Sequence, residues 1–189
     1  MSLQSGLPLF LGQLIRSPHK ISAIAPSSAA LARRMAMELP LDRTGPVVEL
    51  GAGTGKITRA LLEAGVAPDD LHAFELNEEF VDNLRSGFPN IHVHHNKAQE
   101  MDQLGLNNVR AVVSGLPFLS MPGSIQHAIL RASFKAMGPG GVYIQFTYGP
   151  KSPVQDRVSE ELALTYTKSE TIWGNLPPAR VYSFRCAVV

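Results

Sequence analysis

Cysteine is nearly absent from this sequence: Cys186 is the only one. That excludes an internal disulfide and a cysteine-built zinc site, and it fits a reducing compartment. Long apolar runs are missing as well. The stretch LPLFLGQLI near the start is short, has no charged leader and precedes no small-residue cleavage site. It therefore reads as neither a signal peptide nor a bilayer span, which needs about 20 apolar residues. A dominant charge is lacking too, because 17 Lys/Arg face 16 Asp/Glu. A net charge of +1 gives no electrostatic footprint for nucleic acid. Internal repeats and low-complexity tracts are absent.

What is present suits one globular domain. Apolar residues make up 44% of the 189 and charged residues 17%, which is an ordered composition at single-domain length. The charge is uneven: residues 1–40 hold Arg16, Lys20, Arg33 and Arg34 against Glu38 alone. The amino-terminal part is the basic part.

Apolar β-branched runs alternate with helical patterns from about residue 45. Strands are expected at VVEL (47–50), LHAFEL (71–76), IHVHH (91–95), VRAVVSGL (109–116) and GVYIQFTY (141–148). Helix patterns KITRALLEAG, NEEFVDNLRSGF, AQEMDQL and SIQHAILRASFKAMG lie between them, with Asn77 and Ser124 as N-caps and Gly65 and Gly138 as stops. Two further strands, LALTYTKSETIW (162–173) and RVYSFRCAV (180–188), follow as an antiparallel hairpin closed by GNLPPA. The expectation is an α/β fold with a mostly parallel seven-stranded sheet, helices on both faces and an antiparallel carboxyl-terminal hairpin. Residues 1–189 form one domain, with 1–40 as a helical arm.

The strand VVEL runs straight into Gly51, Ala52, Gly53, Thr54 and Gly55. In an open α/β sheet this position faces the ligand crevice, and glycines there admit φ > 0 and leave room for a ligand. The spacing is E-x-G-x-G-x-G. Lys56 stands where a dinucleotide fingerprint needs glycine, and no G-K-[ST] closes a P-loop. Glu49 beside the loop suits a cationic ligand, and Glu75 at the end of the next strand suits a ribose diol. Together these features point to S-adenosylmethionine. A second loop, SGLPFLSMP (114–122), ends the fourth strand and crosses the same crevice. It resembles the short Pro-aromatic motif with which amino-directed methyltransferases hold the accepting nitrogen, which implies that Pro117 stiffens the turn, backbone carbonyls accept from an amine and Phe118 can cover a cation.

The segments APSSAALARRMA, VVELGAGTGKITRALLEAG, FELNEEF, VVSGLPFLSMP, YIQFTYGP and NLPPARVYSF together resemble bacterial phospholipid N-methyltransferases of the small, soluble type. The resemblance runs over nearly the whole chain from about residue 8. It implies a Rossmann-like class I methyltransferase fold and methyl transfer from S-adenosylmethionine to the amine of phosphatidylethanolamine, towards phosphatidylcholine. It also implies peripheral attachment to the inner face of the cell membrane through a basic amphipathic arm. Related motifs occur in ribosomal RNA adenine dimethyltransferases, which are the alternative reading, and a non-catalytic cofactor-binding module is a third. Carried over, Glu49, Gly51, Ala52, Gly53, Thr54 and Gly55 form the cofactor loop, and Glu75 with Leu76 meets the ribose. Asn96, Lys97 and Ala98 face adenine, and Ser114, Gly115, Leu116, Pro117 and Phe118 hold the acceptor. One position departs: Lys97 stands where such enzymes carry an acid. Tyr148 is expected to reach the crevice as a hydrogen-bond partner, and no side chain declares itself a general base.

His92, His94 and His95 crowd one strand without a second ligand group, so no metal site is expected. In the arm, Leu7, Phe10, Leu11, Leu14 and Ile15 fall on one helical stripe with Arg16, His19 and Lys20 behind them. That stripe either packs on the domain or enters an anionic membrane surface. The expected partners are a phospholipid substrate and that surface, with no nucleic acid, and the chain is expected to be a monomer.

Overall fold

The computed structural model describes residues 27–148 and 150–187, so the apolar stripe of the arm lies outside the described residues. The described chain begins with helix α1 (Ser27–Ala36), which leads into β1 (Val47–Leu50) and then α2 (Lys56–Glu63). It continues through β2 (Leu71–Phe74), α3 (Glu78–Gly87) and β3 (His92–His94), then β4 (Val109–Ser114), α4 (Gly123–Ala136) and β5 (Met137–Thr147). A short α5 (Asp156–Glu161), β6 (Leu164–Lys168) and β7 (Arg180–Cys186) complete it.

The seven strands form one sheet in the order β3-β2-β1-β4-β5-β7-β6. The first five pair in parallel, whereas β7 is antiparallel to both β5 and β6. The expected hairpin is therefore present, with its second strand inserted against the parallel sheet and its first strand at the edge. Chain order reverses between β1 and β4, which opens the crevice beyond their carboxyl ends.

Both faces of the sheet are covered, so its central strands read as continuous apolar runs. Side chains alternate between two cores. Val47, Val113, Ile144 and Val181 join Leu31, Met35 and Leu61 from α1 and α2 on one face. Val48, Val112, Tyr143 and Phe184 join Ile129 and Leu130 from α4 on the other. The β4–β5 register shifts between Val109 and Ala111, whose partners in β5 are Met137 and Val142.

Local signals hold at several helix ends. The Asn77 side chain accepts from the Phe80 N–H at 3.1 Å and caps α3. Gly65 follows α2 with φ 95. Elsewhere tertiary packing overrides them. Residues Ala98–Leu104 make a 3-10 helix, with only Met101 buried, in place of the expected helix AQEMDQL. The α4 cap position is Pro122, so Ser124 lies inside the helix. Gly138 belongs to β5, because α4 ends at Ala136 and the chain turns directly into the strand. Helix α5 buries Val158 alone, so six residues leave no periodicity to read. Strand β6 stops at Lys168, and past it only the Ile172–Ala179 bridge pairs.

A buried glutamate and a half-buried histidine sit in this frame with opposite effects. Glu49, fully buried in β1, accepts from the Thr58 N–H at 3.1 Å and from the Thr58 hydroxyl at 2.6 Å. It thereby caps the first turn of α2 from the neighbouring strand. Burial pushes its carboxyl up to about 7 from 4.5, against the lowering effect of the Thr58 bonds. On β2, His72 stacks on His92 at 4.5 Å, and its Nδ1 lies 3.0 Å from Nε2 of His94. Burial, then the neighbouring His92 and His94, pull His72 down to about 4 from 6.5. Among the described residues no group of three or more His, Cys, Asp or Glu is placed to hold a metal.

Two measurements test this frame. A Cβ on Gly55 would meet Phe88 Cε2 at 2.5 Å with φ at 75, whereas one on Gly53 would meet nothing within 4 Å. Both alanine variants carry the left-handed cost of about 1–2 kcal/mol. Gly55→Ala adds overpacking of about 1–3 kcal/mol, so its urea midpoint falls further than that of Gly53→Ala. Equal losses would show that Phe88 yields freely. The second test is the pH dependence of unfolding. Glu49 ionises above 4.5 in the unfolded chain but keeps its proton to about 7 when folded, so its contribution is lost as pH rises through that window. His72 acts in the other direction, its contribution being lost as pH falls from 6.5 to about 4. Glu49→Gln removes the first effect alone. It should gain stability over the parent above about pH 7, by up to roughly 3 kcal/mol, and show no gain at about pH 4. A parent and variant with parallel pH curves would refute the assignment.

Candidate active site

The crevice is built at the carboxyl ends of the five parallel strands. After β1, the glycines at 51, 53 and 55 take φ values of 72, 51 and 75. This alternation folds the loop back under the start of α2. Gly51 lies against Leu116, whose Cδ2 is 2.7 Å from where a Cβ would stand, so the β1 and β4 loops interlock. Gly53 faces open space, the cradle that a ligand needs.

Glu75 ties the β2 end to this loop. Its Oε2 accepts from the Gly53 N–H at 2.8 Å, and its Oε1 accepts from the N–H groups of Leu76 and Asn77 at 2.7 and 2.9 Å. Three donors fix the carboxylate at the rim, with its outward lone pairs available to hydroxyl donors.

Two cavities meet across Glu75, Leu76 and Leu116. The smaller, about 320 Å³, runs from Gly51 and Phe74 past Asn96, Lys97 and Ala98 to Ile125 and Ile129. It gathers the predicted adenine-facing residues. Lys97 stands 3.8 Å from Glu100, so the departing residue has an acid beside it. The larger, about 450 Å³, is lined by Gly115, Leu116, Pro117, Phe118 and Leu119 with Phe146, Thr147 and Tyr148. It is mostly apolar. Burial pushes the Tyr148 phenol up, against a smaller lowering effect of the neighbouring Asn175.

Three expected roles change. Glu49 does not face the crevice: it lines neither cavity and is spent on Thr58 below the loop. A strand residue of that parity points into the layer between sheet and helix. Ser114 is likewise buried at the β4 end, its Oγ accepting from the Leu116 N–H at 3.3 Å, so it shapes the acceptor loop from beneath. The Phe118 ring, 1% exposed, packs on Tyr143 at 5.8 Å, so Phe118 lines the larger cavity from the core and not as an exposed lid. Ala52 is buried and Thr54 exposed at the loop's outer side.

Two glutamines escaped the sequence reading. Gln145 in β5 donates from Nε2 to the Leu116 carbonyl at 2.9 Å and to the Phe146 carbonyl at 3.1 Å. Gln126 in α4 donates to the Phe118 carbonyl at 2.7 Å and accepts from the Gln155 N–H at 3.0 Å. Both are buried and together pin the loop over residues 116–118 from two sides. The available signal was a glutamine inside the apolar run VYIQF, since a buried amide needs partners.

The glycine cradle, the rim carboxylate and the paired cavities fit a nucleoside with an adjoining aliphatic arm. A family model described as "Methyltransferase domain" matches residues 47–141. Over 187 residues, 94% of each chain, the sequence is 32% identical to ornithine lipid N-methyltransferase of Singulisphaera acidiphila. A shorter stretch of 61 residues is 43% identical to ribosomal RNA small subunit methyltransferase A of Parabacteroides distasonis, covering 32% of this chain and 22% of that one. The fold is shared with the Burkholderia thailandensis 1,6-didemethyltoxoflavin-N1-methyltransferase structure, which contains S-adenosylhomocysteine. That likeness has a TM-score of 0.70 at 15% identity, covering 98% of this chain and 91% of that one. Family model, full-length relative and crevice agree, and the chain belongs to the S-adenosylmethionine-dependent class I methyltransferases.

Proposed function

We propose that this chain methylates the amine of a membrane aminolipid, with phosphatidylethanolamine and its methylated derivatives as the acceptors first read from the sequence. The observation that carries the reading is the larger cavity. It adjoins the cofactor cavity at Glu75, Leu76 and Leu116, and its lining is apolar apart from Glu75, Thr147 and Tyr148. A lipid headgroup with its first acyl carbons suits that lining better than a nucleobase does. The relative named for ornithine lipid supports the same class of acceptor, an amine on a lipid.

When bound, S-adenosylmethionine supplies an activated methyl group on a sulfonium. The protein's part is binding and orientation. The Gly53 cradle and the Glu75 carboxylate hold the nucleoside, and Asn96, Lys97 and Ala98 border the base. The carbonyl of Leu116, steadied by Gln145, faces the acceptor as a hydrogen-bond acceptor for its N–H. No side chain of the cavity serves as a base. Glu75 is occupied by three N–H donors, and Tyr148 holds its proton because burial disfavours the phenolate. The ammonium proton therefore leaves to water through the cavity mouth. The amino-terminal stripe at residues 7–15 adds membrane attachment in this reading.

Cofactor binding is tested by calorimetric titration with S-adenosylhomocysteine. Glu75→Ala removes the rim acceptor and strands three N–H groups, and Gly53→Val fills the cradle. Each should weaken binding by ~1–3 kcal/mol, roughly fivefold to a hundredfold or more. Unchanged affinity in both would sink the site. The acceptor is tested by transfer of labelled methyl from the cofactor to phosphatidylethanolamine vesicles, ornithine-lipid vesicles and ribosomal RNA. Label is expected in lipid and absent from RNA, and labelled RNA alone would overturn the reading. In the same assay Gln145→Met should lower lipid turnover about tenfold, through the freed Leu116 carbonyl, while S-adenosylhomocysteine affinity stays at the parent value. Phe118→Ala is a poor probe here, since emptying a core aromatic site costs about 3–5 kcal/mol of stability.

A further inference from the structure

We propose that the loop 169–179, between β6 and β7, is a docking element for the phospholipid bilayer, inserting Trp173 and Leu176 at the headgroup boundary beside the larger cavity. The inference rests on the lipid-acceptor reading and names the surface by which that acceptor is reached.

Trp173 and Leu176 are the two most exposed large apolar side chains among the described residues, at 79% and 78%. The loop that carries them is nonetheless built. Ile172 and Ala179 bridge its ends, and Arg180 Nε donates to Thr171 Oγ1 at 2.8 Å. Asn175, between the two exposed residues, is buried at 3% and donates from Nδ2 to the Pro177 carbonyl at 2.7 Å. A loop held this way projects Trp173 and Leu176 into water without any gain to the domain's own core. Isolated exposed apolar residues need no explanation. A tryptophan and a leucine on one braced loop, either side of the buried Asn175, concentrate apolar exposure in one place rather than scattering it.

The place of the loop selects the occupant. Strand β7 runs antiparallel to β5, so its start, Arg180, lies beside Thr147 at the end of β5 and puts the loop at the crevice edge of the sheet. Asn175 neighbours the Tyr148 side chain closely enough to act on its phenol, and Tyr148 lines the larger cavity. Across that cavity the rim residues Leu76 and Leu119 are exposed at 59% and 42%. The cavity is thus bordered by apolar side chains on both sides, as needed by a site whose acceptor stays in a bilayer while its amine enters. Met37 and Leu41, also exposed, stand on the segment leading into the start of β1 and belong to the other edge. Tryptophan favours the interfacial depth at which lipid amines lie. Lys151 and Lys168 on the flanking segments are exposed, and Glu170 opposes them. The remaining positive charge is small, so insertion rather than attraction supplies most of the binding.

Trp173 is the only tryptophan of the chain, which makes the test direct. The full-length protein is mixed with phosphatidylethanolamine/phosphatidylglycerol vesicles, with and without brominated acyl chains. Docking through the loop shifts Trp173 emission to shorter wavelength, shields it from acrylamide and exposes it to bromolipid quenching. Leu176→Asp should lower vesicle partition roughly tenfold or more. The same variant should keep the parent rate on a short-chain aminolipid dispersed as monomers, because residue 176 lines neither cavity. Co-sedimentation with unchanged Trp173 emission would overturn the proposal in favour of another surface, such as the arm. Absence of vesicle binding would overturn it outright. A concentration-dependent emission shift without vesicles would overturn it in favour of a second copy of the chain. If Trp173 inserts but the parent methylates no monomeric aminolipid, the docking inference stands and the acceptor reading alone falls.

Discussion

The Glu75 carboxylate accepts backbone N–H groups from Gly53, Leu76 and Asn77, and through them it joins the β1 loop to the start of α3. Few side-chain bonds in this domain connect two ligand-facing loops directly. Charge-assisted bonds of this kind are about twice as strong as neutral ones, and three on one group fix its orientation. The rim of the cofactor cavity, the path of the glycine loop and the wall shared with the larger cavity all follow from that one placement. The same group that organises the crevice keeps lone pairs for hydroxyl donors.

Beneath the rim, the site is held by polar groups that never reach the ligand. Glu49 caps α2 through Thr58, Ser114 supports the Leu116 N–H, and Gln126 and Gln145 tie down the backbone carbonyls of the acceptor loop. Each buries a polar side chain at a cost that its hydrogen bonds offset in part, the buried Oε1 of Gln145 being without a partner among the described residues. The result is a rigid loop whose own carbonyls are oriented, which is the contribution a protein makes when the cofactor carries the reactive group.

The division between the two cavities supports the proposed aminolipid acceptor. The cofactor side mixes Glu75, Asn96 and Lys97 with apolar walls, whereas the other side offers Leu116, Leu119 and Phe146 with little polar lining. A hydrophobic mouth at the crevice edge favours an acceptor that brings its own apolar body. Exposed Leu76 and Leu119 make sense at such a mouth and are otherwise costly in water.

The order of the strands, the crevice-facing glycine loop and the acid at residue 75 were legible in the sequence, because they follow from local periodicity and from glycine at fixed positions after a strand. So were the Asn77 cap and the hairpin at the end of the chain. The roles of Glu49, Ser114 and Phe118 were not, since a strand residue's face depends on which helices pack against each side, and that is decided by the assembled sheet. Gln126 and Gln145 were missed for a related reason: their partners, Phe118 and Leu116, are 8 and 29 residues away and meet them only when α4 and β5 close on the loop. The exposure of Trp173 and Leu176 also emerged only from the fold, because a pattern of residues does not say which apolar side chains the core will have no room to cover.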